Sequence, residues 1–487
     1  MRLGPPSANR LALRSAESHF TYGLMNTERE RPSAIFLAGC PVELVSLSNE
    51  GWHKRGSTNR PSHGTSATRE LKGETATTPT LSFYSGDHLM TKMLKIAALL
   101  TLVLTFVVKA PAQTVTVGSP QTVLTASQRI SLTNQYFPDG MMSAFLYNGT
   151  NYVFGSDGLI YGFTSTNLEN LASNLSPIDI TTNLSYGSSS NAFDYNYAGG
   201  GPVYYDTATG ILLLLYHGEN WYGGDGSPFY ASLGLAYSTN LGATWNNLGE
   251  VISPQTARSG SWGNCNVDVG GGSLVPVTIS GTLYLYAYYV DMASDCDTGN
   301  YNVAVARATE SSLVAAAQAG TPFTSGAGTL FQKYYNGSFS QNGVTDLANP
   351  QNGGGAFTAL IANNNELWPT VNWNSYLNDY VMAYSTDFTG ISVAFSPDGV
   401  TWGTPTQVVG GGNAPPNAIY YPSLLNTGGG DPETLGQQFY LYYVDPFGDW
   451  SQSNLMRVQI AVSGSSSPPP APPAPPAAPT NLHYTVH

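Results

Sequence analysis

Charge is what this sequence has least of. Asp, Glu, Lys and Arg make up 10% of the 487 residues, against about 25% in an ordinary globular chain. Positive charge is scarcer still, 18 basic residues against 31 acidic, a net −13. Thirteen of those 18 precede residue 113. Beyond it stand only Arg129, Arg258, Arg307, Lys333 and Arg457, facing 23 acids. Phosphate neutralisation needs clustered Lys and Arg, so nucleic acid is excluded as a partner, and an anionic membrane surface is disfavoured for the same reason. Cysteine is nearly absent: Cys40, Cys265 and Cys296 can build neither a CxxC pair nor a metal quartet. There is no triplet or heptad repeat and no long amphipathic helix; Val314–Ala319 is the one short helical candidate. What is abundant is Tyr (31) and Gly (53).

The ends of the chain are expected to lie outside the fold. Met90–Lys95 is a short basic start, Ile96–Val108 an apolar run of 13, and Ala110-Pro111-Ala112 a small-residue site before Gln113. That is the layout of a secretory signal peptide over 90–112, and the run is shorter than the ~20 residues that span a bilayer. Residues 1–89 then read as an extension upstream of a true start at Met90 or Met93; a cytoplasmic region with a membrane anchor is the alternative. An exported protein with two cysteines in its body reads as carrying one disulfide, Cys265–Cys296, worth roughly 3–4 kcal/mol for so short a loop. Residues 463–479 form a Pro/Ala/Ser linker, and 480–487 resemble the first strand of a fibronectin type III module. A secreted or periplasmic monomer, free of the membrane after signal cleavage, is the expectation.

Between 113 and 462, alternating Tyr/Val/Leu runs are punctuated by Gly, Asn, Asp and Ser, the signature of strands and turns. The runs recur in five units. Middle strands fall at 151–155, 211–216, 283–289, 379–384 and 438–444, and third strands at 159–163, 233–238, 303–306, 391–396 and 456–462. Insertions lengthen some units, chiefly at 320–365. Radial repetition hides sheet edges, so the predicted fold class is all-β, a five-bladed β-propeller of four-stranded antiparallel blades. A pair of β-sandwiches is the alternative.

Two third strands end in turns of one kind. Ser238-Thr239-Asn240-Leu241-Gly242-Ala243-Thr244-Trp245 follows the S-x-D-x-G-x-T-W pattern with Asn in the Asp place, and Ser396-Pro397-Asp398-Gly399-Val400-Thr401-Trp402 is a shorter version. These turns resemble the Asp-boxes of sialidases and the turns of the five-bladed arabinanase, xylosidase and fructosidase glycosidases. Their residues read as structural, a capped Gly turn and a Trp packed between blades.

The resemblance implies acids at the starts of the inner strands, around a central cavity. The matching segments are 136–140, 194–199, 264–268, 366–369 and 419–423. Asp139 matches the family's first-blade acid and is the candidate base or nucleophile. Glu366 is a candidate general acid, Asp268 a third carboxylate and Asp194 a substrate-binding acid. The family's short E-G-P signature is missing. Glycoside hydrolysis needs one protonated and one ionised carboxyl, and a buried cavity with few cations can hold one protonated. The segment Tyr216–Trp221 resembles the YHG of mannoside-phosphorylase propellers; His217 and Trp221 are expected to contact sugar, and Glu219 to donate a proton. Trp368, Tyr420 and Tyr421 offer stacking faces. A sialidase would hold its anionic substrate with three arginines; so acidic a body repels such a sugar, and a neutral glycan is expected. The expected activity is O-glycosyl hydrolysis of a neutral poly- or oligosaccharide without an organic cofactor. Asp291, Asp295 and Asp297 form a candidate structural Ca²⁺ loop. The rival from another class is a non-catalytic glycan-binding propeller.

Overall fold

A computed structural model describes residues 113–133, 137–221, 228–257, 265–292, 301–323, 328–346, 353–362, 365–412, 417–448 and 452–464. The chain opens with β1 (Thr114–Val117), β2 (Gln121–Leu124) and helix α1 (Ala126–Thr133). The first blade is β3 (Ser143–Tyr147), β4 (Thr150–Ser156), β5 (Ile160–Ser165) and β6 (Ser176–Pro177). In the second, β7 (Tyr197–Gly199) and β8 (Val203–Asp206) both pair with β9 (Ile211–Trp221), followed by β10 (Phe229–Ser238) and β11 (Asn246–Ile252). The third runs β12 (Asp268–Ile279), β13 (Thr282–Met292), β14 (Tyr301–Thr309), β15 (Gly328–Tyr335) and β16 (Ser338–Val344), with helix α2 (Glu310–Ala319) between β14 and β15.

The fourth blade is β17 (Glu366–Asn374), β18 (Asp379–Thr386), β19 (Gly390–Ser396) and β20 (Thr406–Gly410). The fifth holds β21 (Asn417–Leu425), β23 (Gln438–Gly448) and β24 (Asn454–Ser463). Between β21 and β23 the chain makes β22 (Thr434–Leu435), which pairs in parallel with β17. The five-bladed propeller is the fold, and every expected middle and third strand lies on β4, β9, β13, β18, β23 and on β5, β10, β14, β19, β24. Four of the five sheets carry a fifth strand, β8 in the second and parallel β22 in the fourth among them. The hairpin β15–β16, built from the expected 320–365 insertion, gives the third blade five strands. The outer strands of the fifth blade come from the other end of the chain, β1 and β2 paired antiparallel to β24. The first strands thus join the last blade and cover its edge.

The Asp-box turns do what their residues imply. Asn240 Oδ1 accepts from the Thr244 amide (2.9 Å), and Asp398 Oδ1 from the amides of Val400 (2.9 Å) and Thr401 (2.7 Å). Trp245 meets Phe154 of the first blade edge-on at 5.7 Å, and Trp402 meets Tyr288 of the third at 6.1 Å. Each Trp seals a seam between blades.

Near the axis, hydroxyls clasp one blade to the next. Ser143 Oγ accepts from the Val203 amide (3.0 Å), Ser273 Oγ from the Val371 amide (2.6 Å) and Ser423 Oγ from the Met142 amide (2.8 Å). A Cβ on Gly272 would sit 1.7 Å from the Tyr288 carbonyl oxygen of the next strand in its own blade and 3.3 Å from the Pro369 carbonyl oxygen of the neighbouring blade. Met142, Ser143, Ser273, Thr370, Asn372 and Glu433 surround a void with about 10 Å³ open to a water centre, room for about one water. Glu433, from the loop that carries β22, accepts from Ser143 Oγ (2.5 Å) and the Ala144 amide (3.0 Å). Burial pushes its carboxyl up to about 8, against the Ser143 hydrogen bond and helped by the Asp431 charge. A carboxyl raised on folding keeps its proton while the unfolded chain releases it, so its contribution to stability falls as pH rises from about 4.5 through 8. Glu433→Gln, a permanent mimic of the protonated form, is therefore expected to raise the melting temperature more at pH 8 than at pH 4.5, by thermal denaturation at both.

Candidate active site

The inner strands start at one end of the ring, where the site residues converge. Asp139 lies just ahead of β3, its amide bonded to the Ser156 carbonyl at 2.7 Å. Arg129 on α1 fixes this approach. Fully buried, it donates to the carbonyls of Phe137 (2.9 Å), Pro138 (3.0 Å) and Ser453 (2.8 Å). Its guanidinium thus shapes the segment leading to Asp139. Tyr421 Oη donates to Asp139 Oδ1 at 3.0 Å. Burial raises the Asp139 carboxyl to about 6 against that hydrogen bond; the Glu219 charge adds to the rise, and Arg129 and His217 oppose it.

His217 and Glu219 alternate along β9 and so share a face, with Tyr197 directly opposite Glu219 across the β7–β9 ladder. His217 Nε2 lies 3.2 Å from Glu219 Oε1, and Trp221 Nε1 donates to Glu219 Oε2 at 2.6 Å. Burial works against the protonated imidazole, but Glu219, then Asp268 and Asp139, outweigh it and lift the His217 pKa above its ordinary value. Tyr197 stands edge-on to His217 at 5.9 Å and shares a 2.6 Å hydrogen bond with Ser156. Burial, then the charges of Asp139 and Glu219, push its phenol far up.

Asp268, the first residue of β12, is 2% exposed. Burial raises its carboxyl to about 7; His217 opposes this, while Glu219 and Asp291 add to it. Its Oδ1 is buried without a hydrogen-bond partner among the described residues, as is Trp368 Nε1. Trp368 lies 6.5 Å from His217, 6.3 Å from Tyr420 and 5.5 Å from Tyr421 between ring centres. A Cβ on Gly270 would come within 2.3 Å of the Trp368 ring, so that glycine makes room for it. Trp368 and Tyr421 both hold φ = +55°, a left-handed backbone uncommon for bulky residues. Strain of this kind concentrates at functional sites.

The structure thus brings together Asp139, His217, Glu219, Trp221, Asp268, Trp368, Tyr420 and Tyr421. Glu366 is the first residue of β17. It is 1% exposed, burial lifts it to about 7, and both its oxygens lack hydrogen-bond partners among the described residues. Its charge is felt by Tyr384. Asp194 is turned inward, accepting from Tyr216 Oη (2.9 Å) and Asn247 Nδ2 (3.1 Å). Of the calcium candidates, Asp291 forms a buried ion pair with Lys333 at 3.0 Å; Asp295 and Asp297 lie outside the described residues. Among the described residues no three His, Cys, Asp or Glu side chains are grouped to hold a metal ion. Cys265 is described and Cys296 is not. The signal segment, the Pro-rich linker and the fibronectin-like stump also lie outside. Arg129 and Tyr197 are the contributors that sequence reasoning passed over. Tyr197 stood in a segment already marked as inner strand, and an Arg ahead of the first blade carries no local pattern that assigns it to Asp139.

No family model and no curated protein matches the chain. Among solved structures it is similar to the family 117 glycoside hydrolase Zg3597 of the marine bacterium Zobellia galactanivorans, with 11% identity over 71% of this chain and 90% of that one, at a TM-score of 0.39. The catalytic domain of the Coprinopsis cinerea GH62 α-L-arabinofuranosidase gives 12% over 72% and 98%, at 0.41. A GH43_1 enzyme of Xanthomonas citri gives 11% over 72% and 95%, at 0.37. The case for function rests on the residues of this chain alone.

Proposed function

We propose that the protein is a secreted glycoside hydrolase acting on a neutral oligo- or polysaccharide. The observation that carries this reading is a pair of carboxyls, half-buried Asp139 and buried Asp268, both within electrostatic reach of the same His217–Glu219 pair. Glu219 accepts from Trp221 Nε1 at one oxygen, and His217 Nε2 lies 3.2 Å from the other. The Glu219 charge adds to the rise of both Asp139 and Asp268. Asp139 accepts a phenolic hydrogen bond, which favours the ionised form, and it serves as base or nucleophile. Asp268 has an oxygen open to a partner and the higher pKa, and it serves as acid. It protonates the glycosidic oxygen as that bond breaks, and water supplies the hydroxyl to the sugar and the proton that is returned. A neutral substrate is supported by the scarcity of cations in this body and by the burial of Arg129, which is bonded to backbone carbonyls and to Ser453 Oγ. The Cys265–Cys296 disulfide belongs to the same proposal, as the staple of an exported chain.

The test is a panel of neutral oligosaccharides with product analysis. Turnover of at least one of them supports the reading, and binding without turnover returns the protein to the glycan-binding class. The pH profile is part of the test. Activity rises as Asp139 ionises near 6 and falls as Asp268 loses its proton near 7, giving a narrow bell around 6.5 whose limbs belong to the coupled cluster. Asp268→Asn is expected to abolish the alkaline limb along with most of the rate on poor leaving groups.

A further inference from the structure

Three aromatic side chains stand exposed among the described residues, and two of them, Tyr186 (44%) and Tyr195 (41%), flank one short loop between the first and second blades. The loop is held from both sides. Asn220, beside Glu219 on β9 and 3% exposed, donates from Nδ2 to the carbonyls of Ser190 (2.8 Å) and Ala192 (2.6 Å). Asp194, bonded to Tyr216 and Asn247, anchors the far end, and the Gly187 amide reaches its carbonyl at 3.3 Å. The loop closes so tightly that a Cβ on Gly187 would meet Ala192 Cβ at 2.1 Å.

The loop sits at the mouth of the site. Tyr186 Oη reaches the Gly158 carbonyl at 3.4 Å, on the β4–β5 turn two residues past Ser156, which holds the Asp139 amide. The Asn196 amide, next to Tyr195, bonds the Glu219 carbonyl at 3.0 Å. Burial first, then the Glu219 charge, raise the Tyr186 phenol, so that carboxylate lies within electrostatic reach. Exposing aromatic faces to water is costly, and a loop pinned by a buried Asn and a buried Asp holds them there at a fixed place.

We infer that Tyr186, with Tyr195 at the other end of the same loop, is a stacking subsite for a second sugar ring, so that the substrate is a saccharide of at least two units with one ring in the carboxylate cluster and the next on this loop. The inference rests on the hydrolase reading above and deepens it. An aromatic face suits the C–H face of a neutral pyranose or furanose and adds no charge selection. Tyr186 is then a specificity-determining residue, remote from the proton transfers.

The experiment compares wild type, Tyr186→Ala and Tyr186→Phe on the shortest oligosaccharide cleaved in the panel and on the glycosyl fluoride of the same sugar, which carries a single ring. Tyr186→Ala is expected to raise KM for the oligosaccharide about tenfold with kcat within about twofold, to leave the fluoride unchanged, and to be rescued by Tyr186→Phe, which keeps the ring. An unchanged KM, or an equal loss on both substrates, overturns the subsite. If wild type cleaves nothing, the hydrolase reading falls, and calorimetry with neutral oligosaccharides of two to six units still decides the subsite. A roughly tenfold weaker binding by Tyr186→Ala supports it; equal affinity, or no binding by wild type, overturns it.

Discussion

Asp139→Asn is expected to lower turnover of the neutral glycan by about 10²- to 10⁴-fold, the range a positioned base contributes, while the protein melts no lower than wild type. The two halves of this result have one cause. Asp139 is a carboxyl whose pKa burial raises to about 6, so at pH 7.5 the folded state holds an anion that the unfolded chain would hold at less cost. Asn keeps the shape and can still accept from Tyr421 Oη, which now bonds Asp139 Oδ1 at 3.0 Å. It removes the buried charge and with it the proton acceptor. Loss of activity with unchanged or raised melting temperature is the mark of a group kept for chemistry rather than for folding. Steady-state rates and thermal melts of both proteins at pH 7.5 check it, and equal activity in the two would remove Asp139 from the mechanism.

The ring was legible in the sequence because its signal is local. Period-2 runs such as Leu283–Tyr289 and Asp379–Tyr384 are strands whatever their surroundings, and the Asn240 and Asp398 turns carry their own hydrogen bonds. Asp139 and Asp268 were legible by position, as carboxylates at inner-strand starts. What stayed hidden depends on distant pairing. The edge of the fifth blade is covered by β1 and β2, more than 300 residues from β24, and nothing in Thr114–Leu124 names that partner. Glu366 begins an inner strand just as Asp268 does, and its charge adds to the rise of the Tyr384 phenol. Trp368, two residues on, turns toward His217 through a left-handed backbone and an interrupted register between Leu367 and Thr370. A bulge of that kind decides which of two neighbouring side chains meets the cavity. Glu433 was hidden for a similar reason. It reaches the axis from a loop, and loops carry no period from which a direction could be read.

Lys333→Met is expected to be the most damaging single change to stability among those considered, costing about 3–5 kcal/mol. Lys333 on β15 and Asp291 on β13 are both fully buried, with Nζ 3.0 Å from Asp291 Oδ2 and 2.6 Å from the Ser253 carbonyl. Asp291 Oδ1 also accepts from the Gln255 amide at 3.4 Å. The pair therefore ties the segment after β11 to the third blade from within. Burial lowers the Lys333 pKa and raises that of Asp291, each against the pull of its partner, so each group depends on the other to offset its burial. Met fills the space of the stem but leaves the Asp291 carboxyl facing no cation, and that uncompensated group carries most of the cost. The double variant Lys333→Met with Asp291→Asn should recover more than half of the loss, because the orphaned charge leaves with its partner; chemical denaturation of the two single variants and the double closes the cycle. The same cycle reports on the site. Asp291 is one of the charges that raise Asp268, so the double variant is also expected to move the alkaline limb of the activity profile to lower pH. A limb that stays in place would separate the ion pair from the acid and leave it a purely structural tie.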